Sequence, residues 1–166
     1  ITCGEFSGLP VPRTHDIGLI FKRADIPFLV AESLPQERWR KLVWNIPFNG
    51  LAIVGGGVDT ATVLETKNLH CLAKELMREV MGVALALGYE MPNSLIEHNL
   101  NETKKMGSYT PSSMIDFITD KPVEVEAIWG EAVRIGLEAG SEIVRMECLY
   151  NLIRIAIERR DNPQTG

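Results

Sequence analysis

The stretch "RWRKLVWNIPFNG", Arg38 to Gly50, sets one lysine and two asparagines among large apolar side chains. Lys41, Asn45 and Asn49 follow one another at the four-residue repeat of one side of a helix. An ammonium group and two amides along one edge can stabilise a growing negative charge and hydrogen-bond an oxygen-rich ligand. A second stretch, "PSSMIDFITDKPVEVE", carries Ser112, Ser113, Glu124 and Glu126, hydroxyls and carboxylates that suit binding or proton transfer. Each also has a structural explanation: a serine as helix cap, Glu124 as a helix N-terminal charge, Lys41 as a solvated side chain. Taken without further knowledge, the residues favour those structural readings.

The elements that must position these groups are mostly helical. Ser33, Pro35 and Gln36 form a start signal, with a side-chain cap, an early proline and a capping-box partner. Trp39, Leu42, Val43 and Ile46 make the apolar stripe of that helix, and Pro47 is expected to kink it before Asn49. The strongest helical pattern is "ETKNLHCLAKELMREVMGVALALGYEMP". Its core side reads Leu69, Leu72, Ala73, Leu76, Met77, Val80, Val83, Ala84 and Leu87, with Gly88 as the stop. Shorter helices are expected over "SLIEHNLNETKKMG" and "TPSSMIDFITDK", then two more over "PVEVEAIWGEAVRIGLEAG" and "EIVRMECLYNLIRIAIERR", divided by Gly140. The closing "RRDNPQTG" should fray.

The first thirty or so residues differ. "ITCGEFSG" is β-prone, "GLPVPRTHD" is loop chemistry, and "IGLIFKRADIPFLVAE" suggests a short helix leading to an extended segment. The chain opens with neither methionine nor a signal peptide, as a piece of something longer would. Residues 1–32 read as the remnant of an N-terminal nucleotide-binding domain, and 33–166 as a C-terminal helical domain.

Composition removes several classes. At 166 residues and 45% hydrophobic content the chain is long enough to bury a core without metal or disulfides. A net charge of −5 argues against general nucleic-acid binding. No apolar run approaches a membrane span. Cys3, Cys71 and Cys148 show no C-x-x-C pair, and His15, His70 and His98 show no ligand spacing, so no metal site and a reduced, cytoplasmic setting are expected. "LAIVGGGVDTATVLE" imitates a dinucleotide turn, with Gly55 and Gly57 in place. Its third position is Thr60, and no second strand ending in an acidic residue follows, so a helix–helix connection is expected.

"WRKLVWNIPFNGL", followed about seventy residues later by "SSMIDFITDKPVEVEAIWG", resembles the C-terminal helical domain of the ketopantoate reductase (2-dehydropantoate 2-reductase) family. "MREVMGVALALG" is similar to that family's long middle helix, and "ITCGEFSG" to the end of its nucleotide domain. The resemblance implies a mainly α helical bundle like the C-terminal domain of 6-phosphogluconate dehydrogenase-like reductases. It implies Lys41 and Glu124 as catalytic residues, and Asn45, Asn49 and Ser113 as substrate-binding residues. It implies NADPH as cofactor, held mainly by a Rossmann half outside this chain, 2-dehydropantoate as substrate in pantothenate and coenzyme A biosynthesis, and a homodimer. Partial burial would then lower the Lys41 pKa, with Glu124 opposing that shift. On this reading the chain alone is inactive. Two alternatives are a reductase of another 2-keto acid and a non-catalytic helical dimerisation domain.

Overall fold

The computed structural model describes residues 1–162. It divides into two compact units, Ile1–Lys41 and a second that begins at Leu42. In the first unit, β1 (Thr2–Cys3) leads through α1 (Pro12–Arg23) to β2 (Leu29–Val30). The two strands pair in parallel, Thr2 beside Leu29 and Cys3 beside Val30. Proline at the first position starts α1, and Lys22 and Arg23 complement the dipole of its last turn. Gly18 lets α1 approach the strand, since a Cβ there would lie 3.3 Å from Phe28 and Val30. Glu5 holds the start of α1 by accepting from the Thr14 hydroxyl and pairing with Arg13.

The chain then enters α2 (Leu34–Val54), whose start is capped as the sequence foretold: the Gln36 N–H donates to Ser33 Oγ at 3.3 Å. The helix does not stop at Pro47. It continues to Val54, so Asn49 stays on the same helix as Lys41 and Asn45. "LAIV" is the last turn of that helix rather than a strand. Gly56 and Gly57, at φ 81° and 89°, turn the chain in a conformation that costs a side chain heavily. Asp59 then caps α3 (Thr60–Glu65), accepting the Thr62 N–H at 2.8 Å. The glycine run is a helix–helix connection.

The core of the second unit gathers round α4 (Lys67–Ala86), which packs against α3, α5 (Ser94–Met106), α7 (Glu131–Glu138) and α8 (Val144–Asp161). Ala73, Leu76, Met77, Val80, Val83 and Ala84 of α4 are buried, as their spacing predicts. Leu69 and Leu72 are only half-buried, and Leu87 is exposed because α4 ends one residue before it. Between α5 and α7 lie α6 (Ser112–Ile118) and a π turn, Glu126–Gly130, that runs directly into α7. Of the expected fraying, Arg159 to Asp161 are helical, and residues 163–166 lie outside the described part.

Candidate active site

Helix geometry orders the polar edge of α2. At about 100° per residue, Lys41 sits roughly opposite Trp39 and Val43, whereas Asn49 lies only about 60° from Ile46. Exposure falls accordingly: Lys41 is exposed, Asn45 half-buried and Asn49 1% exposed. The expected partial burial of Lys41 is therefore not found; its position opposite the apolar stripe leaves it in solvent. Asn49 is buried, and both ends of its amide are engaged. Its Nδ2 donates to the Asn45 carbonyl at 3.1 Å, and its Oδ1 accepts the Ser113 backbone N–H at 2.9 Å.

That second bond joins the two stretches singled out in the sequence. Ser113 stands in the first turn of α6, only 4% exposed, and no partner for its hydroxyl is found among the described residues. Neither serine is a cap. Pro111 holds the cap position and offers no side-chain acceptor, so Asn49 satisfies one of the orphan donors from another helix. Ser112 is exposed.

Glu124 is exposed and lies two residues before the π turn, its carbonyl accepting the Ile128 N–H at 3.0 Å. The turn is anchored to α2, because Trp129 Nε1 donates to the Ile46 carbonyl at 3.0 Å. Glu126 folds back over the turn, where a Cβ on Gly130 would strike its carboxylate oxygen, and Tyr150 of α8 donates to it at 2.7 Å. That bond to Glu126 raises the Tyr150 pKa, so its hydroxyl stays a donor. Thus α2, α6 and the π turn are tied together by Asn49 and Trp129. No bond links the Glu124 side chain to Ser113 or Asn49, and Lys41 belongs to the first unit, one helical turn before Asn45.

Trp129, Tyr150 and the π turn escaped the sequence reading, since nothing local in "VEVEAIWG" marks a five-residue hydrogen-bond ring. No described segment forms the strand, glycine turn and helix that cradle a dinucleotide, because the one glycine run follows a helix. Among the described residues, no three His, Cys, Asp or Glu groups gather to hold a metal ion.

Residues 33–157 match the family model described as ketopantoate reductase PanE/ApbA C terminal. A 2-dehydropantoate 2-reductase from Nostoc sp. is 35% identical over 93% of this chain and 50% of its own length. The crystal structure of 2-dehydropantoate 2-reductase from Methylococcus capsulatus superposes with a TM-score of 0.92 at 32% identity, over 99% of this chain and 53% of that one. A D-mandelate dehydrogenase with NADH and anilino(oxo)acetate shares the fold at TM-score 0.87 and 18% identity, over 96% of this chain and 67% of its own. The chain spans about half the length of the curated relatives it matches. The glycine run that turns between helices, the helical core round α4 and the coupling of the lysine–asparagine helix to the serine helix fit one assignment: the chain belongs to the ketopantoate reductase family, whose C-terminal helical domain it carries.

Proposed function

We propose that this chain is the substrate-binding and catalytic part of an NADPH-dependent 2-dehydropantoate 2-reductase, acting with a nucleotide-binding domain. The observation that carries the reading is the Ser113 N–H to Asn49 Oδ1 bond, which couples the two motif segments across 64 positions of sequence. Lys41 lies one helical turn before Asn45 on the helix that makes this bond.

A nicotinamide cofactor, held by the nucleotide-binding domain, would supply the hydride for the ketone carbon, and what this chain's residues must meet is the negative charge that would grow on the carbonyl oxygen. The Lys41 ammonium stabilises that charge and delivers the proton. Lysine suits this role better than arginine, whose guanidinium hardly surrenders a proton. Asn45, whose side-chain amide has no partner among the described residues, offers a neutral donor and acceptor to the substrate hydroxyl. The Ser113 hydroxyl donates to the substrate carboxylate. Glu124 orients the ammonium group.

The test is NADPH oxidation with 2-dehydropantoate, assayed with the nucleotide-binding half present. Lys41→Ala is expected to lower kcat by about 10²-fold or more. Unchanged turnover would remove Lys41 from the role. A second reading, a reductase of another 2-keto acid, draws support from the D-mandelate dehydrogenase that shares the fold. Comparing 2-keto acids, each with NADH and NADPH, separates the two readings. Failure of every acid would leave a non-catalytic helical domain.

A further inference from the structure

We infer that Arg160 is a positioning residue, whose guanidinium holds the turn between Ser113 and Glu124 and thereby sets where the Glu124 carboxylate stands. This rests on the proposed reductase reading and deepens it, by naming what aims the glutamate. Three observations carry it. Arg160 Nη1 donates to the Phe117 carbonyl and to the Lys121 carbonyl, each at 3.1 Å. Its Cζ lies 5.1 Å from the centre of the Phe117 ring and Asp161 accepts from its Nε at 2.8 Å, so the side chain is well fixed and only 14% exposed. The turn it grips needs such a hold. Thr119 to Pro122 are exposed, and Asp120 takes φ 53°, the left-handed region that disfavours a residue with a Cβ. The Phe117 carbonyl belongs to the last turn of α6, which leaves its carbonyls without helical partners. In a continued helix the Lys121 N–H would reach it, but that group donates to the Asp116 carbonyl at 2.9 Å instead. A strained turn clamped from another helix points to a use for the turn.

The use follows from the spacing. Pro122 has a fixed φ, so few free torsions separate the Lys121 carbonyl from Glu124. Beyond Glu124, the π turn is tied to α2 by Trp129. Glu124 thus stands between two anchors, and Arg160 supplies the nearer one on the α6 side. Ser113, at the start of α6, is fixed independently, because its N–H donates to Asn49. Loosening the turn should misdirect Glu124 and leave Ser113 in place.

Two measurements test this, with Arg160→Met, which keeps an apolar stem over Phe117 but no donor, and Arg159→Ala as a control for lost charge. Amide hydrogen exchange at Lys121 should quicken by about tenfold in Arg160→Met and stay unchanged in Arg159→Ala, with the amides of α4 unaffected in both. Equal exchange at Lys121 in parent and Arg160→Met would overturn the inference. In the enzyme with its nucleotide-binding half, Arg160→Met should lower kcat by about tenfold and leave KM within about twofold, since Glu124 is displaced and the serine is not. A change confined to KM, or none in either constant, would overturn the role. Combined with Glu124→Ala, Arg160→Met should cost no further kcat, because nothing remains to be aimed. A double variant whose loss equals the product of the single losses would mean that Arg160 does not act through Glu124. Should Arg160→Met not fold, Arg160→Gln keeps a shorter, uncharged donor. Slower turnover must then accompany faster exchange at Lys121, and either without the other, or neither, overturns the inference. A parent without turnover would refute the reductase reading and the catalytic role with it, and the exchange comparison would still decide whether Arg160 holds the turn.

Discussion

Glu79 lies on the core side of α4, three residues after Leu76 and four before Val83, and it is 7% exposed. Its carboxylate accepts the backbone N–H groups of Arg145 at 3.1 Å and Met146 at 2.8 Å, and it meets the Arg145 guanidinium at 3.0 Å. These are the orphan donors of the first turn of α8, where Ile143 at the cap position offers no side-chain acceptor. An anion there is also favoured by the helix dipole. Glu79→Ala leaves a part-buried donor at Arg145 and a buried one at Met146 unmet and should cost about 2–3 kcal/mol, whereas Glu79→Gln, which keeps one oxygen, should cost about 1 kcal/mol. Arg145→Ala should cost less than either, because that side chain is 42% exposed and the ion pair is well screened. Urea denaturation with an unchanged slope reads all three, and equal losses for Ala and Gln at 79 would refute the capping role. The same logic applies in α2, where Asn49, buried against the start of α6, accepts the Ser113 N–H that no cap of α6 itself meets.

At the scale of elements, the short α3 depends on Asp59. The Thr62 backbone N–H, then the Thr62 hydroxyl, hold its carboxyl below the usual value of 3.8. A depressed folded-state pKa means that the stabilisation is complete above the unfolded value and is lost as pH falls through the folded one. Thermal stability should therefore decline in acid by a component that Asp59→Asn removes, since the amide caps without titrating, while Asp59→Ala costs about 1 kcal/mol at neutral pH. An acid decline identical in parent and Asp59→Asn would refute this contribution. The π turn offers a sharper case. Gly130→Ala ordinarily gains helix propensity, but here its Cβ would strike the Glu126 carboxylate that Tyr150 holds in place. It should destabilise by about 1 kcal/mol in the parent and by less in Tyr150→Phe, where Glu126 can swing aside. Equal effects in the two backgrounds would mean that Tyr150 does not constrain Glu126. The helices were legible in the sequence because the apolar stripes of α4 and α2 repeat with the helical period, and Gly88 and Gly140 stop them. The buried carboxylate of Glu79 was legible in principle, as an acid on an apolar stripe. The π turn and the Asn49–Ser113 bond were not, since each depends on neighbours far along the chain.

Across the whole molecule the two units differ in what each can bury. In Ile1–Lys41 the strands are two residues long, and Leu19, Ile20, Ile26 and Leu29 stay exposed. Its buried side chains are few, chiefly Thr14, Ala31 and Trp39. From Leu42 onward the core contains Phe48, Leu76, Met77, Trp129, Met146 and Ile153, each almost free of solvent contact. Two-residue strands with one paired edge cannot protect their amides well, because each backbone bond lies near solvent and little apolar burial resists local opening. Native-state hydrogen exchange should therefore show the amides of β1, α1 and β2 exchanging through openings well below the global unfolding free energy, while those of Leu76 to Val83 in α4 exchange only with global unfolding. Adding urea separates the two mechanisms. Rates in α4 should rise with denaturant along the slope of complete unfolding, and rates in α1 should rise with a much smaller slope. If α1 and α4 showed one common free energy and one slope, the chain would unfold as a single cooperative body, and the division near Lys41 would have no energetic meaning.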